Sequence, residues 1–270
     1  MRHALAIALL ALIAPAPALA AGQIEPRCHA EVPCALGDRS YHVKEPDGWD
    51  GQTPLPVLLH FHGWMRQGTL IVKHGRISGA TRRRGVLLLA PNGQGKTWDF
   101  WTDRTDDVDF AAAVIEDAAK RYPIDRSRIY VSGYSYGSAM AWRYACENGD
   151  GVAALLAVSG TLRQSETCPQ APAEVRHVHG TSDTVMDFPF GPHGETTWPV
   201  KLWRERMGCA GPGERLGHWS VTHHDTFART LWDCDEGRVT LDVHGRGHFI
   251  PRGWIARQLD ELLGLPRSYP

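Results

Sequence analysis

Six short apolar runs, at residues 56–61, 85–90, 128–132, 152–159, 174–179 and 238–244, alternate with stretches of helical periodicity. That alternation is the signature of parallel βαβ units, because parallel strands need long crossovers and a helix is the usual one. The runs at 85–90 and 152–159 are apolar nearly throughout rather than at every second position, as expected of strands covered on both faces. An open, doubly wound, mostly parallel sheet with helices on both faces follows. The helical pattern is clearest at 107–121, where Val108, Phe110, Ala111, Ile115 and Ala118 share a face and Asp106 or Asp107 is the expected N-cap. Further helices are expected at 136–146, 198–207 and 251–263. In such a sheet ligands bind beyond the carboxyl ends of the strands, so the loops after strands are where chemistry belongs.

Residues 1–20 read as an export signal, with basic Arg2, an apolar run over 4–13 and small residues at Ala18-Leu19-Ala20. The apolar run is short for a membrane span. The remaining chain, 21–270, is of a size for one domain, with no internal repeat or dividing linker. An exported product would be secreted or periplasmic. Six cysteines, Cys28, Cys34, Cys146, Cys168, Cys209 and Cys234, are an even number in a chain bound for an oxidising compartment, and nearest-neighbour pairing 28–34, 146–168 and 209–234 is expected. No Cys-x-x-Cys pair is present, and a net charge of −1 gives no basic footprint for nucleic acid or an anionic membrane.

The expected strand 128–132 leads into Gly133-Tyr134-Ser135-Tyr136-Gly137, and the expected helix follows at once. Small residues on either side of a serine at a tight strand-to-helix turn are what a nucleophile elbow requires. A serine hydroxyl needs a base to take its proton, and the base needs an acid to fix its tautomer. In chain order the acid is Asp183, just past the strand ending at 179, with Asp187 farther from the strand end. The base is His248, carried beyond Gly245 and Gly247, with His244 as its rival still in the strand. Backbone N–H groups of Tyr136 and of Trp64, in the His62-Gly63-Trp64 turn after strand 56–61, are the expected oxyanion donors. His60-x-His62 could instead be half of a metal site, but no acidic ligand follows closely, and neither metal nor cofactor is expected.

Residues 90–97, Ala-Pro-Asn-Gly-Gln-Gly-Lys-Thr, fit a relaxed phosphate-loop pattern. They lack the first glycine and a following helix, so nucleotide binding is not expected. Ten tryptophans are many, and Trp98 and Trp101, with Phe100 between them, lie in a loop on the expected site face. They could stack on a substrate ring or pack beneath the loop. His62 and Tyr134 are further candidate substrate contacts.

The ordered set LLHFHGW, LLLAPNGQGKTWDFW, DDVDFAAAVIEDAAKRYPIDRSRIYVSGYSYGSAMAWRYAC, HVHGTSDTVMDF and VHGRGHFIPRG resembles the secreted polyhydroxybutyrate depolymerase and feruloyl esterase family of α/β-hydrolases. The resemblance runs from about Tyr41 to Trp254. It implies a serine esterase with nucleophile Ser135, acid Asp183 and base His248, acting on hydroxyalkanoate, hydroxycinnamoyl or acetyl esters without a cofactor. The chain departs from the family's pattern at Trp64, Ser138 and Phe249-Ile250-Pro251, around the pocket rather than in the triad. A peptidase or acyltransferase with the same triad is the alternative within enzymes, and a silent hydrolase-like binding module the alternative outside them.

Overall fold

The computed structural model describes residues 26–163, 165–186 and 198–268. The export signal at 1–20 and Asp187 lie outside the described residues. Ten strands are described: β1 (Cys34–Leu36), β2 (Arg39–Lys44), β3 (Leu55–Phe61), β4 (Leu87–Pro91), β5 (Ile124–Tyr134), β6 (Ala154–Val158), β7 (Glu174–Gly180), β8 (Glu214–Thr222), β9 (Asp225–Cys234) and β10 (Gly237–His244). They form one sheet in the order β1-β2-β4-β3-β5-β6-β7-β10-β9-β8.

The central strands β4, β3, β5, β6, β7 and β10 pair in parallel and are the six that the apolar runs predict. The flanking pairs β1–β2, β2–β4, β10–β9 and β9–β8 are antiparallel. These outer strands were not anticipated, because strands with one face toward solvent alternate in polarity and carry no apolar run. β9 is such a strand, alternating buried and half-buried positions at its start.

The helices are α1 (Gly68–Lys73), α2 (Ser78–Arg82), α3 (Asp106–Arg121), α4 (Tyr136–Asn148), α5 (Trp198–Arg206) and α6 (Trp254–Leu262). Alternate residues of the buried strands feed two cores, one on each face. Val57, Leu59, Phe61, Leu87 and Leu89 pack with Val108 and Ala111 of α3, Trp142 of α4 and Trp203 of α5. Leu58, Leu88, Ala90 and Leu156 pack with Ile71 of α1, Ala80 of α2 and Trp254 and Leu259 of α6. Burial on both faces is what made those strands legible.

The cap of α3 corrects the expectation of Asp106 or Asp107. The cap is Thr105, whose hydroxyl accepts the Asp107 N–H at 3.1 Å. Asp107 instead accepts the Asp99 N–H at 2.7 Å and pairs with Arg39 at 2.6 Å, closing the loop that carries Trp98. Disulfides join Cys28 to Cys34, Cys146 to Cys168 and Cys209 to Cys234, the pairing the spacing predicts.

Register lines up the carboxyl ends of the parallel strands. Phe61 of β3 lies beside Gly133 of β5, Tyr134 beside Val158 of β6, Val158 beside Val178 of β7, and His244 of β10 beside Gly180. The loops holding Gly63, Ser135, Asp183 and His248 therefore leave the sheet at one edge.

Candidate active site

Ser135 links β5 to α4 with φ 58° and ψ −124°, a backbone conformation that side-chain-bearing residues rarely adopt. Its N–H donates to the Val158 carbonyl at 3.0 Å, while its own carbonyl accepts from Ser138 and Ala139 as the first turn of α4 forms. The elbow is bounded by close backbone approach. A Cβ on Gly133 would lie 2.0 Å from the Gly137 carbonyl oxygen, and one on Gly137 would lie 2.1 Å from the Phe61 oxygen. Both glycines are thus required by space, the condition on which the serine's strained turn rests. The amide of Tyr136 opens α4, where helical geometry leaves N–H groups without an intrahelical partner.

Asp183 and His248 are in direct contact. His248 Nδ1 lies 2.7 Å from Asp183 Oδ2. A carboxylate only accepts, so Nδ1 carries the proton and Nε2 is left with its lone pair free. The other oxygen, Oδ1, accepts the N–H groups of Val185 at 2.9 Å and Met186 at 3.0 Å. Burial opposes ionisation of Asp183, but the His248 hydrogen bond and the Met186 and Val185 amides outweigh it and hold the carboxyl below its ordinary range.

Tyr134, the residue before Ser135, touches this pair. The Tyr134 ring lies 4.8 Å from the His248 ring, and its hydroxyl donates to the His248 carbonyl at 3.2 Å. Among the described residues the Ser135 hydroxyl makes no hydrogen bond to His248. Tyr134, a candidate substrate contact from the sequence, is thus a support for His248. His244, the rival base, is 3% exposed, accepts the Arg246 N–H at 3.2 Å and stacks edge-on to Phe227 and Phe249. Burial drives its pKa down to about 4.

His62 was expected as a substrate contact, and its position corrects that. The ring is fully buried, Nε2 accepting the Gly93 N–H at 3.0 Å and Nδ1 donating to the Gly63 carbonyl at 2.8 Å. Both nitrogens are spent on backbone, so His62 shapes the loop that carries Gly63 and Trp64. Gly63 in turn sits against the elbow, its Cβ position 3.7 Å from Ser135 Cβ. Trp98 is corrected in the same way: it is fully buried and its indole N–H donates to the His62 carbonyl at 2.8 Å. The phosphate-like stretch is spent on internal contacts, Gly93 N–H donating to His62 and Asn92 Oδ1 accepting the Gly68 N–H at 2.8 Å, with Gln94–Lys96 forming one 3-10 turn.

Other aromatics reach the surface. Trp64 is 61% and Trp101 45% exposed. Their rings lie 6.4 Å and 6.1 Å from Tyr136, and Phe100 meets Tyr136 edge-on at 5.2 Å. Rings thus gather around the residue that follows Ser135.

A sequence model of the Phospholipase/Carboxylesterase family matches residues 106–198, from α3 past Asp183. The chain is 25% identical over 215 residues to a bifunctional acetylxylan esterase/xylanase from Neocallimastix patriciarum, covering 78% of this chain and 31% of that protein. It is 27% identical over 162 residues to a probable feruloyl esterase C from Aspergillus flavus, covering 58% of this chain and 59% of that protein. The solved structure of an acetyl xylan esterase from Aspergillus awamori has the same fold, with a TM-score of 0.64 at 16% identity over 84% of this chain and 94% of that one. The chain spans between 31% and 66% of the length of such curated relatives.

Proposed function

Since this chain belongs to the α/β-hydrolases related to feruloyl and acetylxylan esterases, we propose that it is an exported serine-dependent carboxylic ester hydrolase. The observation that carries the proposal is the pairing of a strained elbow serine, Ser135, with an Asp183–His248 contact of 2.7 Å at the same sheet edge. His248 Nε2 takes the Ser135 proton as Oγ attacks the ester carbonyl carbon. The amides of Tyr136 and Trp64 hold the oxyanion that forms. As the carbonyl–alkoxy bond breaks, His248 returns its proton to the leaving alcohol oxygen, leaving an acyl-Ser135 ester. Water, deprotonated by the same ring, attacks that ester and releases the acid with Ser135 restored. Asp183 orients His248 and balances the charge of its protonated form.

Acetyl and hydroxycinnamoyl esters of plant polysaccharide are the favoured substrates, with hydroxyalkanoate esters next. The relatives named for acetylxylan and feruloyl esters support the first two, and the exposed Trp64 and Trp101 beside Tyr136 offer faces for a sugar or phenolic ring. Three disulfides suit an oxidising compartment, secreted or periplasmic. The intact protein should be labelled by a fluorophosphonate and should hydrolyse p-nitrophenyl acetate, methyl ferulate or acetylated xylan. Both properties should vanish in Ser135→Ala and persist in Ser127→Ala, a serine remote from the elbow. A folded wild type that neither labels nor cleaves any ester in that panel would refute the proposal, and amide cleavage without ester cleavage would favour a peptidase.

A further inference from the structure

Behind Asp183, two histidines of β7 form a hydrogen-bonded chain that the proposed reaction does not use. His177 and His179 project from the same face of β7, as residues two apart in a strand do. They are 0% and 1% exposed. His177 Nδ1 lies 3.1 Å from the Ala157 carbonyl of β6, and His177 Nε2 lies 3.1 Å from His179 Nδ1. His179 Nε2 lies 2.8 Å from the Met186 carbonyl and 3.3 Å from Asp183 Oδ2, the oxygen that also accepts from His248. Trp142 of α4 closes the far side, its ring 5.5 Å from His177.

The number of protons limits the arrangements open to this chain. Burial drives both imidazoles below their ordinary pKa, His179 also being pushed up by Met186 and Asp183 and down by His248. Each neutral ring has one N–H, so two protons serve three contacts, and both ends of the chain are acceptors. One contact must go without a proton: either end, or the ring-to-ring contact, where two lone pairs would face each other at 3.1 Å. If it were the His179 end, a lone pair would face a carbonyl and a carboxylate together; at the His177 end it faces one carbonyl. At the His179 end the hydrogen bond is to the Met186 carbonyl at 2.8 Å, and the carboxylate 3.3 Å away adds its charge, so a donor is favoured there. An arrangement that keeps the ring-to-ring hydrogen bond and donates at the His179 end puts the protons on His177 Nε2 and His179 Nε2, with the bare nitrogen toward Ala157.

Resting on the esterase reading above, we propose that His177 and His179 are positioning residues for Asp183. His177 fixes the tautomer of His179, and His179 holds the 183–186 turn by donating to the Met186 carbonyl while aiming the same N–H toward Asp183 Oδ2. The carboxylate is thereby surrounded by four N–H groups, of Val185, Met186, His248 and His179. The titratable groups facing the pair are Asp183 in the loop after β7, His248 in the loop after β10 and His244 on β10. Asp183 is to His248 what His177 is to His179, a group that selects which ring nitrogen bears the proton.

His177→Leu removes the donor, whereas His177→Gln can restore one. With p-nitrophenyl acetate and intact protein, His177→Leu should lower kcat about 10-fold with KM within about twofold, well short of the ~10⁴-fold seen when a triad carboxylate is lost. The acid limb of its kcat/KM profile should move to higher pH, because the Asp183 charge is then shared among fewer donors. His177→Gln should recover most of both effects. A folded His177→Leu protein with wild-type kcat and pH profile would overturn the proposal, as would equal impairment of both variants through melting temperature alone. Should His177→Leu not fold, ¹⁵N imidazole spectra of the wild type decide: protonated Nε2 with bare Nδ1 on His179 is expected, and the opposite tautomer overturns it. That spectrum is independent of ester turnover, so it separates failure of the relay from failure of the esterase reading.

Discussion

Gly137 packs against the Phe61 carbonyl so closely that a Cβ would lie 2.1 Å from that oxygen and 2.5 Å from the His62 oxygen. Those neighbours are backbone of β3 and of the His62-Gly63 turn, so they cannot swing aside as a flexible side chain would. Gly137→Ala should push α4 away from β3 and displace both Ser135 and the Gly63 loop. Forced overpacking costs about 1–3 kcal/mol, and misplacement of a reacting group by about 1 Å costs ~10²-fold in rate. A lowered melting temperature together with esterase activity down by that order is expected from thermal melts and initial rates.

Asp183→Asn keeps an oxygen for the Val185 and Met186 amides but faces His248 Nδ1 with an N–H. Two donors cannot share a hydrogen bond, so His248 takes the tautomer with its proton on Nε2 and can no longer accept from Ser135. A fall in kcat of about 10⁴-fold is expected, with far smaller loss of stability. Steady-state kinetics and circular dichroism on one preparation test the split.

Trp98 and Trp101 lie three residues apart with opposite surroundings. Trp101→Ala should raise KM for methyl ferulate several-fold, in line with about 0.5–1.5 kcal/mol for an aromatic contact, and leave p-nitrophenyl acetate nearly unchanged. Trp98→Ala, removing a fully buried indole, should cost about 3–5 kcal/mol of stability. Denaturant melts beside kinetics on both esters will read each effect.

Asp242 of β10 is buried and accepts the indole N–H groups of Trp219 at 3.0 Å and Trp254 at 2.8 Å, and two Arg229 nitrogens at 2.8 Å each. One carboxylate thus ties the β8–β9 pair and α6 to the strand that precedes His248. Breaking a buried ion pair by removing one partner costs about 3–5 kcal/mol, so Asp242→Asn should lower the urea midpoint accordingly.

Stability should fall in mild acid. Burial holds His60 at a pKa of about 3 and His62 and His244 at about 4, below the ordinary histidine value of 6.5. Between about pH 6.5 and 4 the unfolded chain therefore binds protons that the folded chain refuses, and each such group withdraws stability as pH drops. Asp183, held below its ordinary value chiefly against burial by His248 and the two amides, withdraws more as pH falls below about 4. The melting temperature should decline from pH 7 toward pH 4.5, and a flat profile there would contradict neutral buried imidazoles.

How much of this was legible depended on whether the physical cause was local. The six parallel strands announced themselves because burial on both faces favours short runs rich in apolar residues, and Ser135 because its turn needs Gly133 and Gly137 within two residues. Strand order also pointed to Asp183 and His248, which meet at 2.7 Å. The β8–β9 pair did not, since a half-exposed strand such as Asp225–Cys234 mixes Arg229 and Asp233 with its apolar positions. His62 was misread because its second partner, the Gly93 N–H, is 31 residues away in sequence and only the fold brings it near. The contacts of His177 with Ala157 and of His179 with Met186 are likewise ones that no spacing reveals.

The Cys146–Cys168 disulfide joins the far end of α4 to the segment entering β7, and the Gln170 N–H also donates to the Cys146 carbonyl at 3.1 Å. The helix that starts at the serine and the strand that ends at the aspartate are therefore one mechanical unit. The link limits how far either can move without the other, so amide exchange and proteolytic nicking in this region should quicken when Cys146–Cys168 is reduced.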